Sequence, residues 1–76
     1  MNKTESKQLH TMIGQIEKIK NQLEEMRDQK QEAFDGRSES WQDGEKGEQA
    51  QAEIGGLEDA MGSLEDAIGS IEEIAG

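Results

Sequence analysis

Residues 9–33 read LHTMIGQIEKIKNQLEEMRDQKQEA, and within them Leu9, Met12, Ile16, Ile19, Leu23, Met26, Lys30 and Ala33 recur at alternating steps of three and four. Steps of that kind return each side chain to one side of an α-helix and mark a coiled-coil seam with a single polar interruption. Taking Leu9, Ile16, Leu23 and Lys30 as a positions makes Met12, Ile19, Met26 and Ala33 the d positions, with Ile13 widening the stripe at e. Glu17, Lys18, Lys20, Asn21, Gln22, Glu24 and Glu25 then fill the outer face. Asn2 or Thr4 can cap the start, and Gly36, following Phe34 and Asp35, marks the stop. The spacing predicts a first helix over residues 4–34, roughly 45 Å long.

The second half repeats itself. Gly56-Leu57-Glu58-Asp59-Ala60-Met61, Ser63-Leu64-Glu65-Asp66-Ala67-Ile68 and Ser70-Ile71-Glu72-Glu73-Ile74-Ala75 are each offset by seven residues. The resulting seam is Ile54, Leu57, Met61, Leu64, Ile68, Ile71 and Ala75, flanked at g by Ala60, Ala67 and Ile74, which lets a neighbouring helix come close. A strict seven-residue repeat calls for left-handed supercoiling. A second helix over residues 48–75 is expected. Residues 35–47 combine Gly, Ser and Asp without an apolar period and read as the connection, with Ser38, Ser40 and Asp43 as N-cap candidates.

Two helices of similar length joined by a short connection fold back on each other. The expected fold is therefore all-α, one domain over residues 1–76, an antiparallel two-helix hairpin completed as a homo-oligomeric helical bundle. With 76 residues, no cysteine and one histidine, the chain has neither a disulfide nor a zinc cluster to offset its small core. The missing stabilisation is expected from a second copy or a higher oligomer. Its candidate core is Leu9, Met12, Ile16, Ile19, Leu23 and Met26 with Ile54, Leu57, Met61, Leu64, Ile68 and Ile71.

The charge is divided as unevenly as the repeats. Residues 1–34 carry six basic and six acidic side chains, whereas residues 35–76 carry twelve acids against Arg37 and Lys46, so the whole net charge of −10 lies in the second half. That field repels nucleic acid and anionic membranes and favours a basic partner surface. Glu58/Asp59, Glu65/Asp66 and Glu72/Glu73 stack as two rows with a repeat of about 10 Å along the helix. They serve either as a solvated face or as an imitation of a phosphate backbone that occupies a basic groove.

Gly55, Gly62 and Gly69 fall away from the seam, at about 1 kcal/mol each relative to alanine. Trp41 and Phe34, the only aromatics, lie at the connection and are expected either to anchor a partner or to fold over the end of the bundle. His10 has no second histidine or cysteine beside it, so neither metal binding nor base catalysis is expected of it. Lys30 at an a position reads as a register-setting or snorkelling residue. No phosphate-binding loop, nucleophile elbow or Ser/His/Asp set is present, and outward carboxylates have no pocket to shift their pKa values. No enzyme activity and no cofactor are expected. Met1 leads into Asn-Lys-Thr-Glu-Ser-Lys with no apolar segment behind it, and no apolar run nears the roughly 20 residues that span a bilayer. A cytoplasmic chain that does not bind membranes is the expectation.

Gln31-Glu32-Ala33-Phe34-Asp35, Ser38-Glu39-Ser40 and Gly44-Glu45-Lys46-Gly47-Glu48, followed by the Leu-Glu-Asp-Ala repeats, resemble a group of short acidic helical proteins of phages and prophages of Gram-positive bacteria. In the connection, where relatives often carry proline and leucine, this chain has Arg37 and Trp41. The resemblance implies a phage protein in the cytoplasm of a bacterial host. By analogy with small phage proteins of this build, it implies a non-catalytic inhibitor that binds a host defence protein with a basic surface. The acidic face of the second helix and Trp41 are its candidate contacts. Two other classes compete: an oligomeric sponge for a nucleotide immune signal, which would need Lys18, Lys20, Arg27 or Arg37 from several chains to hold phosphates, and a purely structural scaffold.

Overall fold

A capping side chain starts the first helix. In the computed structural model, which describes residues 1–76, Asn2 Oδ1 accepts a 2.8 Å hydrogen bond from the Glu5 amide, and α1 runs Lys3–Asp35 without a break. Gly36 follows as its cap, in a right-handed conformation, with its amide donating to Glu32 O at 3.1 Å. The stop thus falls where glycine marks it, without the left-handed residue that glycine usually supplies there.

The connection is more ordered than the absence of an apolar period suggests. Ser38 Oγ accepts from the Trp41 amide at 3.3 Å and starts a short helix, α2 Glu39–Asp43. Ser40 and Asp43, two of the expected caps, lie inside it. The Gln42 amide donates from Nε2 to Phe34 O at 2.9 Å and Arg37 O at 3.1 Å, tying α2 back onto the end of α1. The last helix, α3 Glu45–Ala75, begins three residues earlier than the repeats indicate, with Gly44 as a cap that has no side chain to contribute.

Gly47 makes this early start possible. It is buried where α2 crosses α3, and a Cβ there would lie 2.5 Å from Trp41 O and closer still to the Gln42 carbonyl. Only a residue without a side chain permits that approach.

Four contacts orient α1 against α3. Ser6 Oγ donates to Ala75 O at 2.9 Å, Lys20 Nζ lies 3.9 Å from Glu65, Arg27 NH1 3.3 Å from Glu58, and Lys30 Nζ 2.9 Å from Glu53. Partner numbers fall as α1 numbers rise, so the two long helices form an antiparallel hairpin, 58 Å long and 15 by 11 Å across.

The apolar seam of α3 lies where its repeats place it, with Ile54, Ile68 and Ala75 buried and Leu57, Met61, Leu64 and Ile71 half-buried. On α1 the seam is turned by one position. Leu9, Ile16 and Leu23 at a are half-buried, and the deepest residues are Ile13 and Phe34 at e, 8% and 9% exposed. The d row faces out instead: Met12, Ile19 and Met26 are 48%, 49% and 50% exposed. The reason is chemical. Lys20 and Arg27, also at e, lay their alkyl stems along the seam while their charged ends reach Glu65 and Glu58. No residue at d has such a partner.

A Cβ added to the helix-interior glycines Gly62 and Gly69 would meet nothing within 4 Å, the reverse of Gly47. Gly62→Ala and Gly69→Ala should each raise stability by about 1 kcal/mol through helix propensity. Gly47→Ala should lower it by roughly 1–3 kcal/mol through overpacking against α2. Urea unfolding followed by circular dichroism checks the opposite signs; equal effects at all three sites would contradict the close crossing of α2 and α3.

Candidate functional site

The carboxylates of α3 repeat every seven residues, a spacing that returns each row to nearly the same side of the helix. Glu58, Glu65 and Glu72 occupy e, at the rim of the hairpin seam, whereas Asp59, Asp66 and Glu73 occupy f and point outward. The structure gives the two rows different roles. Glu58 and Glu65 are held by Arg27 and Lys20. Asp59, Asp66, Glu72 and Glu73 are exposed and have no basic side chain within ion-pair distance. The hydrogen bond to Asp28, with a further contribution from Glu58 and against partial desolvation, raises the Arg27 pKa above its ordinary value.

Between the e and f rows, at b, lie Gly55, Gly62 and Gly69. No side chain stands between the two rows of acids, and the helix backbone forms the floor of the strip.

The aromatic residues gather at the turn. Phe34 is buried and Trp41 half-buried; their ring centroids are 6.2 Å apart at 63°, an edge-on contact. The Arg37 guanidinium lies 4.7 Å from the centre of the Trp41 ring. Ala33, Phe34, Trp41 and Ala50 line a cleft of about 140 Å³, with Lys30, Arg37 and Glu53 at its rim. A shallower hollow on the other side of Trp41 is bordered by Lys46 and Gln49. Trp41 therefore covers the turn end of the hairpin and keeps part of its ring open to solvent.

Trp41 and the acidic rows belong to different regions, since the rows run along α3 beyond the cleft. Lys30, the polar residue of the first heptad pattern, is paired with Glu53. His10 is exposed on α1, and nowhere do three His, Cys, Asp or Glu side chains converge as metal ligands would. No helix is long and apolar enough to cross a membrane.

Sequence reasoning missed the roles of Lys20, Arg27, Gln42 and Gly47. The first two were within reach, because an antiparallel pair of heptads sets e positions opposite e positions. For Gln42 and Gly47 the local sequence holds no signal, since both act through the crossing of α2. Comparison with protein-family models, with curated proteins and with solved structures finds no match to this chain.

Phe34→Ala should cost about 3 kcal/mol, as expected for emptying a buried aromatic site. Arg37→Ala removes an exposed cation–π contact and should cost less than about 1 kcal/mol. Denaturant titration followed by fluorescence of Trp41 separates the two; comparable losses would mean that the guanidinium holds the corner as much as Phe34 does.

Proposed function

We propose that this chain is a non-catalytic binding protein that works as a self-associated helical bundle and presents the outward acidic row of α3 to a basic surface on a partner. One observation carries the reading. The cations nearest the seam, Lys20, Arg27 and Lys30, are engaged within the hairpin, while Asp59, Asp66 and Glu73 remain unpaired at a repeat of about 10 Å on a rigid helix. Unpaired charge on a fixed scaffold steers association and gives it salt dependence.

Inhibition follows if the basic surface is one that the partner needs for its own work. The phage resemblance points to a defence protein of a bacterial host, met in that host's cytoplasm. Catalysis is not part of the reading, because the carboxylates lie on an open helix face where nothing excludes water.

The nucleotide sponge draws little support. Of the two hollows beside Trp41, the cleft of about 140 Å³ is small for a ligand and the other, about 290 Å³, is wide open to solvent, and two of the cations a sponge would use, Lys20 and Arg27, are already paired. A scaffold would share the bundle and lack the salt-sensitive partner.

The test uses tagged protein in lysate from defence-bearing bacteria, at low and at moderate salt. The parent should capture a basic protein that moderate salt releases. Reversing Asp59, Asp66 and Glu73 to lysine should abolish capture, whereas Glu58→Gln with Glu65→Gln should largely retain it. Capture that survives the triple reversal with its salt dependence intact would refute the acidic-row reading.

A further inference from the structure

The outward d row of α1 belongs to a larger open face. Lys20 and Arg27 close one edge of the hairpin by joining Glu65 and Glu58, e to e. On the opposite edge α1 presents Met12, Ile19 and Met26, and α3 presents half-buried Leu57, Leu64 and Ile71 with Ala60, Ala67 and exposed Ile74. The borders of this face are uncharged. Gln8, Gln15, Gln22 and Gln29 occupy every g position of α1 in this stretch, and Gly56, Ser63 and Ser70 occupy c on α3. In a chain of net charge −10, a neutral strip running along both helices is where another copy can approach without repulsion.

The area fits one such copy. The chain exposes 5639 Å², against roughly 4,600 Å² for a compact monomer of its mass by surface scaling. The excess reflects the rod shape, and one side of that rod, 58 by 15 Å, is about large enough for the ~800 Å² that each partner of a stable interface buries.

The rows also fix the symmetry. Met12, Ile19 and Met26 are centred on Ile19, and Leu57, Leu64 and Ile71 on Leu64. In the antiparallel register that the Lys30–Glu53 bridge sets, Ile19 and Leu64 lie at one level, and by the Lys20–Glu65 bridge they lie within about one turn of each other. A two-fold axis through that level, across the helices, lays each row antiparallel on itself. Met12 then meets Met26 of the second copy, and Leu57 meets Ile71.

The ends agree as well. Glu5 continues the d row beyond Met12 and falls at the level of Ala33 in the second copy, beside Lys30 and Arg37. Ile74 falls at the level of Ile54, next to Glu53 on the rim of the cleft at Trp41.

We infer that the Met12–Ile19–Met26 face is the seat of a second copy of this chain, packed antiparallel about a two-fold axis at Ile19 and Leu64. This rests on the self-association in the proposed function and gives it a face and a register.

The chain has no cysteine, so engineered thiols report without interference. Light scattering should give twice the 8.4 kDa chain mass for the parent, and Ile19→Lys, outside the hairpin seam, should halve it with helicity retained. With a short thiol cross-linker, Ile19→Cys should join to itself, and Met12→Cys should join to Met26→Cys in a mixture but not to itself. A monomeric parent overturns the inference, as does Met12→Cys joining to itself or Ile19→Cys failing to join. A dimer linked in another pattern refutes this register alone, while the salt-dependent capture judges the acidic row separately.

Discussion

A helix packed against one neighbour can cover only one edge of a wide apolar stripe, and that limit shapes the whole molecule. The stripe of α1 runs across d, a and e, wider than a two-stranded seam. The choice of edge falls to charge: Lys20 and Arg27 at e find Glu65 and Glu58 across the seam, so e turns inward with a, and the methionines and Ile19 at d turn out. Exposed ion pairs contribute little to stability, typically under about 1 kcal/mol each. Here they act mainly by selecting between two faces of similar apolarity, where a small bias suffices.

The turn holds that selection in register. Phe34 at the end of α1, Trp41 on α2 and Gly47 on α3 form one corner, in which Gln42 satisfies the last carbonyls of α1 and Gly47 lets the α2 backbone come close. A slip of α3 along α1 would part Lys30 from Glu53 and drive a side chain into the space that only glycine leaves. At the other end, the bond from Ser6 to the Ala75 carbonyl closes the hairpin. The ladder of ion pairs between these ends is regular because both helices repeat every seven residues.

Helical periodicity was legible because the apolar residues of the long helices, Ala52 apart, obey it, and with no proline in the chain nothing interrupts it. The α3 seam could be read directly, since its a and d rows are apolar and its e row is wholly acidic from Glu58 onward. On α1 the same method favours a and d over e, because it scores Lys20 and Arg27 as polar and overlooks their stems. The chemistry of the acidic rows was visible too. Their division into an e row engaged at Glu58 and Glu65 and a wholly unpaired f row was not, because it depends on which cations of α1 face α3. α2 escaped notice since five residues are too few for periodicity, and Gly47, standing among connection residues, gives no local sign that another backbone crosses it.

Charge and apolarity end up on different sides of one narrow rod. Around α3, the order from the seam outward is acid at e, glycine at b, acid at f, then glycine and serine at c before alanine at g and the apolar rows return. The proposed antiparallel dimer would cover the neutral side and leave every f-row carboxylate on the outside, with two acidic rows on its outer surface, one from each copy and running in opposite directions. That arrangement would separate the f-row charges of the two chains by the full thickness of the bundle, which at ordinary salt exceeds the ~8 Å screening length. The two proposals, self-association and an acidic binding surface, are therefore compatible in one chain, because the neutral residues at g and c on α3 lie between the faces they would use.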